Sequence, residues 1–451
     1  MSQKIAPSAS EIQFSSSLNE NGIAHSGSID YKPLRFSTAG SAGVGKSTLI
    51  RRLVSGTHPF IEDQATPTVD SGNLNVGDEV NFDLFNEGTL SDKGNNLSKV
   101  VIPGYFSTAV RRFEIADSPG YIGFSNNLVT GASITDVAII LTDALVGVTE
   151  QTRRLLFSAS LLQIPAVIIA INKIDLVNYS GEVYNTLKKE FEEFSVGLNF
   201  TQLYFIPLSA SAGDNVTESS VKTPWYNGKT LLQLLESVPA INNDGKLPSR
   251  FVVQNVIHNT ISPYAGFEGR VSGGAFSVGD TILALPSNRL STIKAITNVS
   301  GELGASVSAQ PVTIRLNSEN DIKRGDMLVK LNVKYPQYSS VISLHVFWLN
   351  DRPLSAGLGY IVRHSADETT AVIKDIRYVV NTNTLENNRE NKSVTRNEIA
   401  HITIKTQKPL KYDDYSVNRF TGSLILMDES TLEPVGAGLI VSDTDVYSYN
   451  I

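Results

Sequence analysis

The segment Leu34-Arg-Phe-Ser-Thr-Ala-Gly40-Ser-Ala-Gly-Val-Gly-Lys46-Ser47 decides the fold of this chain. A short apolar strand pattern runs into a glycine-rich turn, and an amphipathic helix pattern runs out of it. Glycines allow successive backbone N–H groups to point at one centre, beside the positive end of the following helix. The pattern G-x-x-x-x-G-K-[ST] between a strand and a helix predicts a phosphate-binding loop.

Each residue of this loop is a candidate for nucleotide binding. The candidates are Gly40, Ser41, Ala42, Gly43, Val44, Gly45, Lys46, Ser47 and Thr48. Lys46 can reach the β- and γ-phosphates, which also makes it a candidate catalytic residue, and the Ser47 hydroxyl can ligate Mg²⁺. The alternative is a glycine-rich turn that happens to contain a lysine.

A second motif, Asp117-Ser-Pro-Gly120, closes the strand pattern Phe113-Glu-Ile-Ala. Asp117 can hold Mg²⁺ through a water molecule, and the Gly120 N–H can meet a γ-phosphate. Aspartate, proline and glycine are also common turn residues, so a plain turn is the alternative. Its place downstream of the phosphate loop favours the metal-binding interpretation.

A third motif, Asn172-Lys173-Ile-Asp175, ends the apolar strand pattern over residues 166–171. An aspartate carboxylate can accept two hydrogen bonds, from guanine N1–H and from the 2-amino group. Adenine lacks this donor pair, and a buried site built for it rejects an analogue without it. We assign Asn172, Lys173 and Asp175 to guanine selection, with a surface turn as the alternative.

The segment Ser209-Ala210-Ser211 follows a fourth strand pattern, over residues 203–208. It fits a loop that supports the base from the side opposite Asp175. Taken in this order, the motifs predict a GTP-binding domain with GTP and Mg²⁺ as its ligands.

Composition excludes several other classes of protein. The chain has 451 residues, of which 41% are hydrophobic and 18% charged, as expected for a globular protein of two to four domains. It has no cysteine, no apolar run of about 20 residues and no secretory signal at its start. The net charge of −7 argues against a broad nucleic-acid surface. We expect a cytoplasmic protein without a membrane segment.

The periodicity of apolar residues changes along the chain. Residues 1–32 are rich in Ser, Asn and Gly, and they predict a flexible extension. Residues 33–240 alternate strand and helix patterns, which predicts a doubly wound α/β domain with a mostly parallel sheet. Beyond a polar linker over 239–249, alternating strands predict two all-β barrels, over 250–335 and 336–451.

The strand patterns of the α/β domain cover residues 113–116, 136–142, 166–171 and 203–208. They read as buried parallel strands, because they are almost wholly apolar. The helix patterns lie near 124–132, 149–162, 182–195 and 229–238.

The chain also resembles a family, through segments beyond the nucleotide motifs. They include Leu128-Val-Thr-Gly-Ala-Ser, Asp143-Ala-Leu-Val-Gly-Val-Thr-Glu-Gln-Thr-Arg-Arg154, Pro224-Trp-Tyr-Asn-Gly, Trp348-Leu-Asn-Asp-Arg-Pro-Leu and Thr421-Gly-Ser-Leu-Ile-Leu-Met-Asp. Of these, Gly-Ala-Ser and Gln-Thr-Arg-Arg are more specific than the nucleotide motifs. Its three-domain pattern is similar to elongation factor Tu. Within that group it resembles, from about residue 33 onward, the large GTP-hydrolysing subunit of bacterial sulfate adenylyltransferase.

This resemblance implies that GTP hydrolysis drives the formation of adenylyl sulfate from ATP and sulfate. In the family, adenylyl transfer occurs on a separate, smaller subunit, and the chain shows no second phosphate loop for ATP. The implied assembly is a hetero-oligomer with that smaller adenylyltransferase subunit, coupled through segments that respond to the γ-phosphate.

Three positions depart from the family pattern. The family has histidine after D-x-P-G, where this chain has Tyr121, our candidate catalytic residue. Tyr121 orients water through its hydroxyl or merely packs, and a tyrosine is a poor proton acceptor at neutral pH. Gly43 replaces an aspartate of the family's loop. The Mg²⁺-ligating threonine of the first switch would fall at Ser98, in a stretch that otherwise reads as a polar loop.

These departures leave two other functions open. One is a hydrolysis-impaired GTP-binding paralogue that regulates an adenylyltransferase complex. The other is a translation-factor-like GTPase that carries aminoacyl-tRNA, which shares the architecture but gains no support from the acidic net charge.

Overall fold

A computed structural model gives the fold over residues 33–55, 104–116, 135–239, 247–257, 266–299, 301–308, 310–318, 321–331 and 333–442. Several predictions lie outside the described residues, namely the extension over 1–32, the helix near 124–132, Ser98, and the motif Asp117–Gly120 with Tyr121. These stay predictions.

A six-stranded sheet forms the centre of the α/β domain. Its strands are β1 (Leu34–Ala39), β2 (Gly104–Ser107), β3 (Arg112–Ala116), β4 (Val137–Asp143), β5 (Ala166–Asn172) and β6 (Gln202–Pro207). Their order across the sheet is β2-β3-β1-β4-β5-β6, and only β2 runs antiparallel to its neighbour. The carboxyl ends of β1, β4 and β5 therefore meet at one edge, where ligands bind in such sheets.

Helices pack on both faces of this sheet. In the described ranges they are α1 (Lys46–Ser55), α2 (Glu150–Leu161), α3 (Gly181–Ser195) and α4 (Leu231–Ser237). α1 and α4 share one apolar core with the sheet, and α2 and α3 share the other. The side chains of Thr149, Ser180 and Thr230 accept backbone N–H bonds at the starts of α2, α3 and α4, which fixes where these helices begin.

The predicted α/β class is confirmed, and its physical cause is visible in the burial of the strands. All seven residues of β5 are buried, because helices cover both faces of the sheet. The four predicted strands match the observed strands to within two residues at each end, and so do the three predicted helices that lie in the described ranges. In the parts of the chain given above, no helix is long and apolar enough to cross a membrane.

An antiparallel barrel follows the α/β domain. Its strands are β7 (Arg250–Ile257), β8 (Gly266–Ser272), β9 (Ala275–Ser277), β10 (Thr281–Leu285), β11 (Arg289–Asn298), β12 (Gly301–Leu303), β13 (Ala305–Val307), β14 (Pro311–Leu316) and β15 (Met327–Lys330). The main sheet has the order β10-β15-β7-β8-β14-β11-β12, and pairing of β10 with β11 closes it. β9 and β13 form a separate pair.

A second barrel has the same kind of closure. Its strands are β16 (Gln337–Trp348), β17 (Leu354–Ser355), β18 (Gly359–His364), β19 (Asp367–Val380), β20 (Asn387–Asn388), β21 (Ser393–Val394), β22 (Ile399–Tyr412), β23 (Ser423–Met427) and β24 (Pro434–Ile440). The order is β18-β23-β24-β16-β22-β19-β20, closed by pairing of β18 with β19. The predicted succession of two all-β barrels is confirmed.

A buried ion pair joins the two barrels. Arg250 is fully buried, and its Nε and Nη2 donate to the two carboxylate oxygens of Asp413 at 2.9 and 2.8 Å. The same guanidinium donates to the Lys334 carbonyl at 2.6 Å, and Thr421 Oγ1 donates to Asp413 Oδ2 at 2.7 Å. Because removing either partner would leave the other charge buried and uncompensated, the pair favours this docking of one barrel on the other.

The second barrel also contacts the α/β domain, at the end of α2. The last carbonyls of a helix have no partner within the helix. Here Tyr415 Oη donates to the Leu162 carbonyl at 3.4 Å, and Arg419 donates to the Gln163 carbonyl. Apolar side chains of α2 and of the barrel share one core around these bonds. The barrel thus caps a helix that starts shortly after the carboxyl end of β4.

Candidate functional site

The predicted phosphate loop joins β1 to α1 and lies beside the carboxyl end of β4. Lys46 is the first residue of α1, and its Nζ donates to the Gly40 and Ser41 carbonyls at 2.8 and 3.0 Å. The lysine side chain therefore folds back over the loop. Ser47 and Thr48 are exposed in the first turn of the helix, close to its positive end. This arrangement presents a lysine, a hydroxyl and helix N–H groups to an anion.

Asn172 connects the phosphate loop to the Ser209–Ser211 segment. Its side chain is almost fully buried; Nδ2 donates to the Val44 carbonyl at 2.7 Å, and Oδ1 accepts from the Ala210 N–H at 2.9 Å. Gly45 is required here, because a Cβ at this position would lie 2.5 Å from Asn172 Nδ2 and its φ is +101°. The three segments predicted to hold one nucleotide are thus joined through one amide.

Lys173 lies at the same edge in a left-handed conformation, with φ of 61°. Its Nζ forms an ion pair of 2.8 Å with Asp143 Oδ2, at the carboxyl end of β4. Burial alone would raise the pKa of Asp143, but hydrogen bonds from Lys173 and from the Leu145 N–H outweigh it, so that this pKa lies below its usual range. Asp143 therefore stays ionised and fixes the Lys173 ammonium group at the carboxyl end of β4.

Asp175 lies in a short 3₁₀ turn over Ile174–Val177. Its Oδ1 is buried and has no hydrogen-bond partner among the residues that the structure describes. Buried carboxylate oxygens nearly always have a donor, so this acceptor needs one that the described residues do not supply. Of the three residues predicted to select guanine, Asp175 is the one with an acceptor atom that has no donor among the described residues.

The Ser209–Ser211 segment is held by its own hydrogen bonds. Ser209 is fully buried, and its Oγ accepts from the Ala212 N–H at 3.2 Å and contacts Ser211 Oγ at 3.2 Å. Arg52 of α1 donates to the Ser211 carbonyl. The segment therefore packs against the phosphate-loop helix as well as against Asn172.

Sequence reasoning missed two features of this site. One is the ion pair of Asp143 with Lys173, although an acidic residue at the end of a buried strand is a signal in itself. Asn172 was assigned to the base, and nothing in the sequence shows that its amide spans two loops. Asp117, Gly120 and Tyr121 are outside the described residues. Within those residues no three His, Asp or Glu side chains form a metal cluster.

Comparison with known families places this geometry in a class. Residues 32–243 match the family described as Elongation factor Tu GTP binding domain, and residues 341–441 match GTP-eEF1A C-terminal domain-like. The fold and the site therefore define a GTP-binding protein of the elongation factor Tu group.

Individual relatives specify the family within this group. The chain is 39% identical over 412 residues to sulfate adenylyltransferase subunit 1 of Teredinibacter turnerae, covering 90% of this chain and 87% of that one. It is 38% identical over 419 residues to the subunit 1 of Shewanella oneidensis, covering 92% and 86%. The chain belongs to the sulfate adenylyltransferase subunit 1 family.

A further relative and a solved structure are also similar to this chain. The bifunctional enzyme NodQ of Rhizobium sp. (strain N33) is 37% identical over 410 residues, which cover 90% of this chain but 63% of that one. Among solved structures, sup35 complexed with GDP aligns over 94% of this chain and 98% of that one, at 19% identity and a TM-score of 0.42.

Proposed function

We propose that the chain binds GTP with Mg²⁺ and hydrolyses it as a subunit of a sulfate adenylyltransferase. The observation that carries the proposal is the buried Asp175 Oδ1, an acceptor without a donor in the described part of the chain. Leaving such an atom unpaired costs free energy. Guanine supplies N1–H and a 2-amino group at one edge, whereas adenine does not, so the site favours GTP over ATP.

The residues of the phosphate loop would hold the other end of the nucleotide. Lys46 Nζ now donates to two loop carbonyls, and phosphate oxygens are stronger acceptors for a charged ammonium group. Ser47 would ligate Mg²⁺, with Asp117 acting directly or through water. The cation, when bound, neutralises charge on the β- and γ-phosphate oxygens. Lys173 would lie along the base, held by Asp143.

We further propose that intrinsic hydrolysis is slow. Tyr121 follows the predicted γ-phosphate contact Gly120, and its hydroxyl can orient water but is a poor base at neutral pH. At Gly43, where the family carries aspartate, a Cβ would have no atom within 4 Å, but the φ of +73° favours glycine, and this chain lacks the carboxylate. Water attack would then need positioning by Tyr121 or by a group from the smaller subunit.

The coupled reaction is the finer part of the proposal. GTP and water give GDP and phosphate on this chain, while ATP and sulfate give adenylyl sulfate and pyrophosphate on the smaller subunit. Two relatives named sulfate adenylyltransferase subunit 1, each about two-fifths identical, support this assignment. We propose that α2 takes part in the coupling, since it starts shortly after Asp143 and ends under Tyr415 of the second barrel.

The test is turnover of both nucleotides with the purified chain, alone and with the smaller subunit. We expect GTP hydrolysis to rise when the smaller subunit, ATP and sulfate are all present, and adenylyl sulfate formation to rise with GTP but not with GDP. If neither reaction depends on the other, the coupling is refuted. GTP binding without turnover under every condition would instead favour the regulatory paralogue.

A variant separates slow chemistry from weak binding. Tyr121→His restores the residue that the family carries, so GTP turnover is expected to rise while the Kd for GTP changes less than about twofold. A clear fall in turnover would show that Tyr121 itself is a working catalytic residue.

A further inference from the structure

The chain takes an unfavourable backbone conformation just after the guanine motif. Asn178 and Tyr179 both have left-handed φ values, of 52° and 56°. For a bulky aromatic residue this conformation is uncommon and costs roughly 1 kcal/mol or more. Such strain persists where the surroundings hold it, and functional sites are where it concentrates. The contacts of Tyr179 therefore need an explanation.

The backbone carbonyl and the side-chain hydroxyl of Tyr179 both form hydrogen bonds with a loop that follows β6. Its backbone carbonyl accepts from Trp225 Nε1 at 2.8 Å. Its hydroxyl donates to Asp214 Oδ2 at 2.8 Å, and Lys222 Nζ lies 3.0 Å from the hydroxyl and 5.0 Å from the ring centroid. Ser220 Oγ donates to the other oxygen of Asp214 at 2.7 Å. We call Tyr179, Asp214, Ser220 and Lys222 the tyrosine network.

The backbone of Asp214 forms a hydrogen bond with the Ser209–Ser211 segment, which is predicted to flank the base. Its carbonyl accepts from the Ser209 N–H at 3.1 Å, and the Ser209 carbonyl accepts from the Gly213 N–H at 2.7 Å. The Tyr179 N–H donates to the Ile174 carbonyl at 2.9 Å, inside the turn that carries Asp175. Tyr179 and Asp214 therefore connect the Asp175 turn to the Ser209–Ser211 segment.

The charges of the network suit this role. Burial raises the pKa of Asp214, but the bonds from Ser220, Tyr179 and Lys222 outweigh it, and the pKa lies below its ordinary value. Burial and Asp214 raise the pKa of Tyr179, against the effect of Lys222. At neutral pH the carboxylate is ionised and the tyrosine keeps its proton, which is the state that the hydrogen bond requires.

We propose that Tyr179 and Asp214 are positioning residues for guanine recognition, which set how strictly Asp175 reads the 2-amino group. This inference rests on the proposed GTP site. Neither residue contacts the base in this account. They act by fixing the Asp175 turn against the Ser209–Ser211 segment, so that the carboxylate faces both guanine donors at once.

Tyr179→Phe is the sharpest test, because it removes one hydroxyl and keeps the ring. The full chain is titrated with GTP and with ITP, which lacks the 2-amino group but has the same phosphates and N1–H. We expect the ratio of the ITP to the GTP Kd to fall by about three- to tenfold, as for the loss of one hydrogen bond. Asp214→Asn should also lower this ratio. In both variants the Kd for ITP should change less than about twofold.

Tyr184→Phe is the matched control. Tyr184 Oη donates to the Phe205 carbonyl at 3.2 Å in the same domain, without a bond to the network. This substitution also removes one hydroxyl and keeps the ring, and it should leave the Kd ratio unchanged. The inference is overturned if Tyr179→Phe leaves the ratio of the two Kd values unchanged, which includes the case in which GTP and ITP are weakened equally. If the wild-type chain binds neither nucleotide, the proposed GTP site itself has failed.

Discussion

Removing the amide of Asn172 should destabilise the α/β domain strongly. Asn172→Ala deletes the bonds to the Val44 carbonyl and the Ala210 N–H, and leaves both groups without their donor or acceptor. A hydrogen bond contributes about 1 kcal/mol net, and an unpaired buried partner adds a desolvation penalty. Because the site is only 2% exposed, water cannot readily replace the amide. We expect a loss of about 2–4 kcal/mol.

Urea unfolding followed by helical circular dichroism measures this loss in the right domain, because the barrels contain only strands in their described ranges. With a slope of about 2 kcal/mol per molar urea, the midpoint should fall by about 1–2 M. Asn199→Ala, at an exposed position of the same domain, is the control and should change stability by less than about 0.5 kcal/mol. A midpoint for Asn172→Ala within about 0.3 M of wild type would refute this role of the amide.

Three other predictions concern the barrels. Asp413→Ala leaves the Arg250 guanidinium buried without its carboxylate, and should cost about 3–5 kcal/mol in chemical denaturation, whereas Arg250→Met with Asp413→Leu should recover most of it. Burial, and to a smaller extent the nearby His401, lowers the pKa of His345 to about 3, so this histidine stays neutral in the folded chain. Stability should therefore fall below about pH 6.5, where the unfolded chain takes up the proton, and His345→Leu should remove about 2 kcal/mol of the loss between pH 7 and pH 5. Arg419→Ala unpairs the carbonyl after α2 and should raise hydrogen exchange at the end of that helix; unchanged exchange would contradict the capping contact.

The fold could be predicted because its signals are local. An apolar run such as 166–171 indicates a buried strand wherever it occurs, and the glycine-rich loop marks the first strand–helix connection. The alternation of apolar residues after residue 250 indicates barrel strands in the same way. Which barrel strands pair to close each ring depends on segments far apart in the chain, and no local pattern encodes it.

The site could be predicted only in its separate pieces. The sequence identifies the phosphate loop, Asp175 and the Ser209–Ser211 segment, each from its own residues. The amide bridge of Asn172 reaches back 128 residues to Val44, and the Tyr179 hydroxyl reaches forward 35 residues to Asp214. These contacts depend on the tertiary fold. The left-handed conformation of Tyr179 also has no sequence signal, because glycine or asparagine would be expected there.

The most direct test of the central claim is a change of nucleotide specificity at Asp175. Xanthine carries a carbonyl where guanine carries the 2-amino group, so Asp175→Asn can accept from N1–H and donate to that carbonyl. Titrations with GTP and XTP should show that the wild-type chain prefers GTP by about a hundredfold or more and that Asp175→Asn prefers XTP. An unchanged preference in the variant would contradict the assignment of Asp175 as the residue that reads the base.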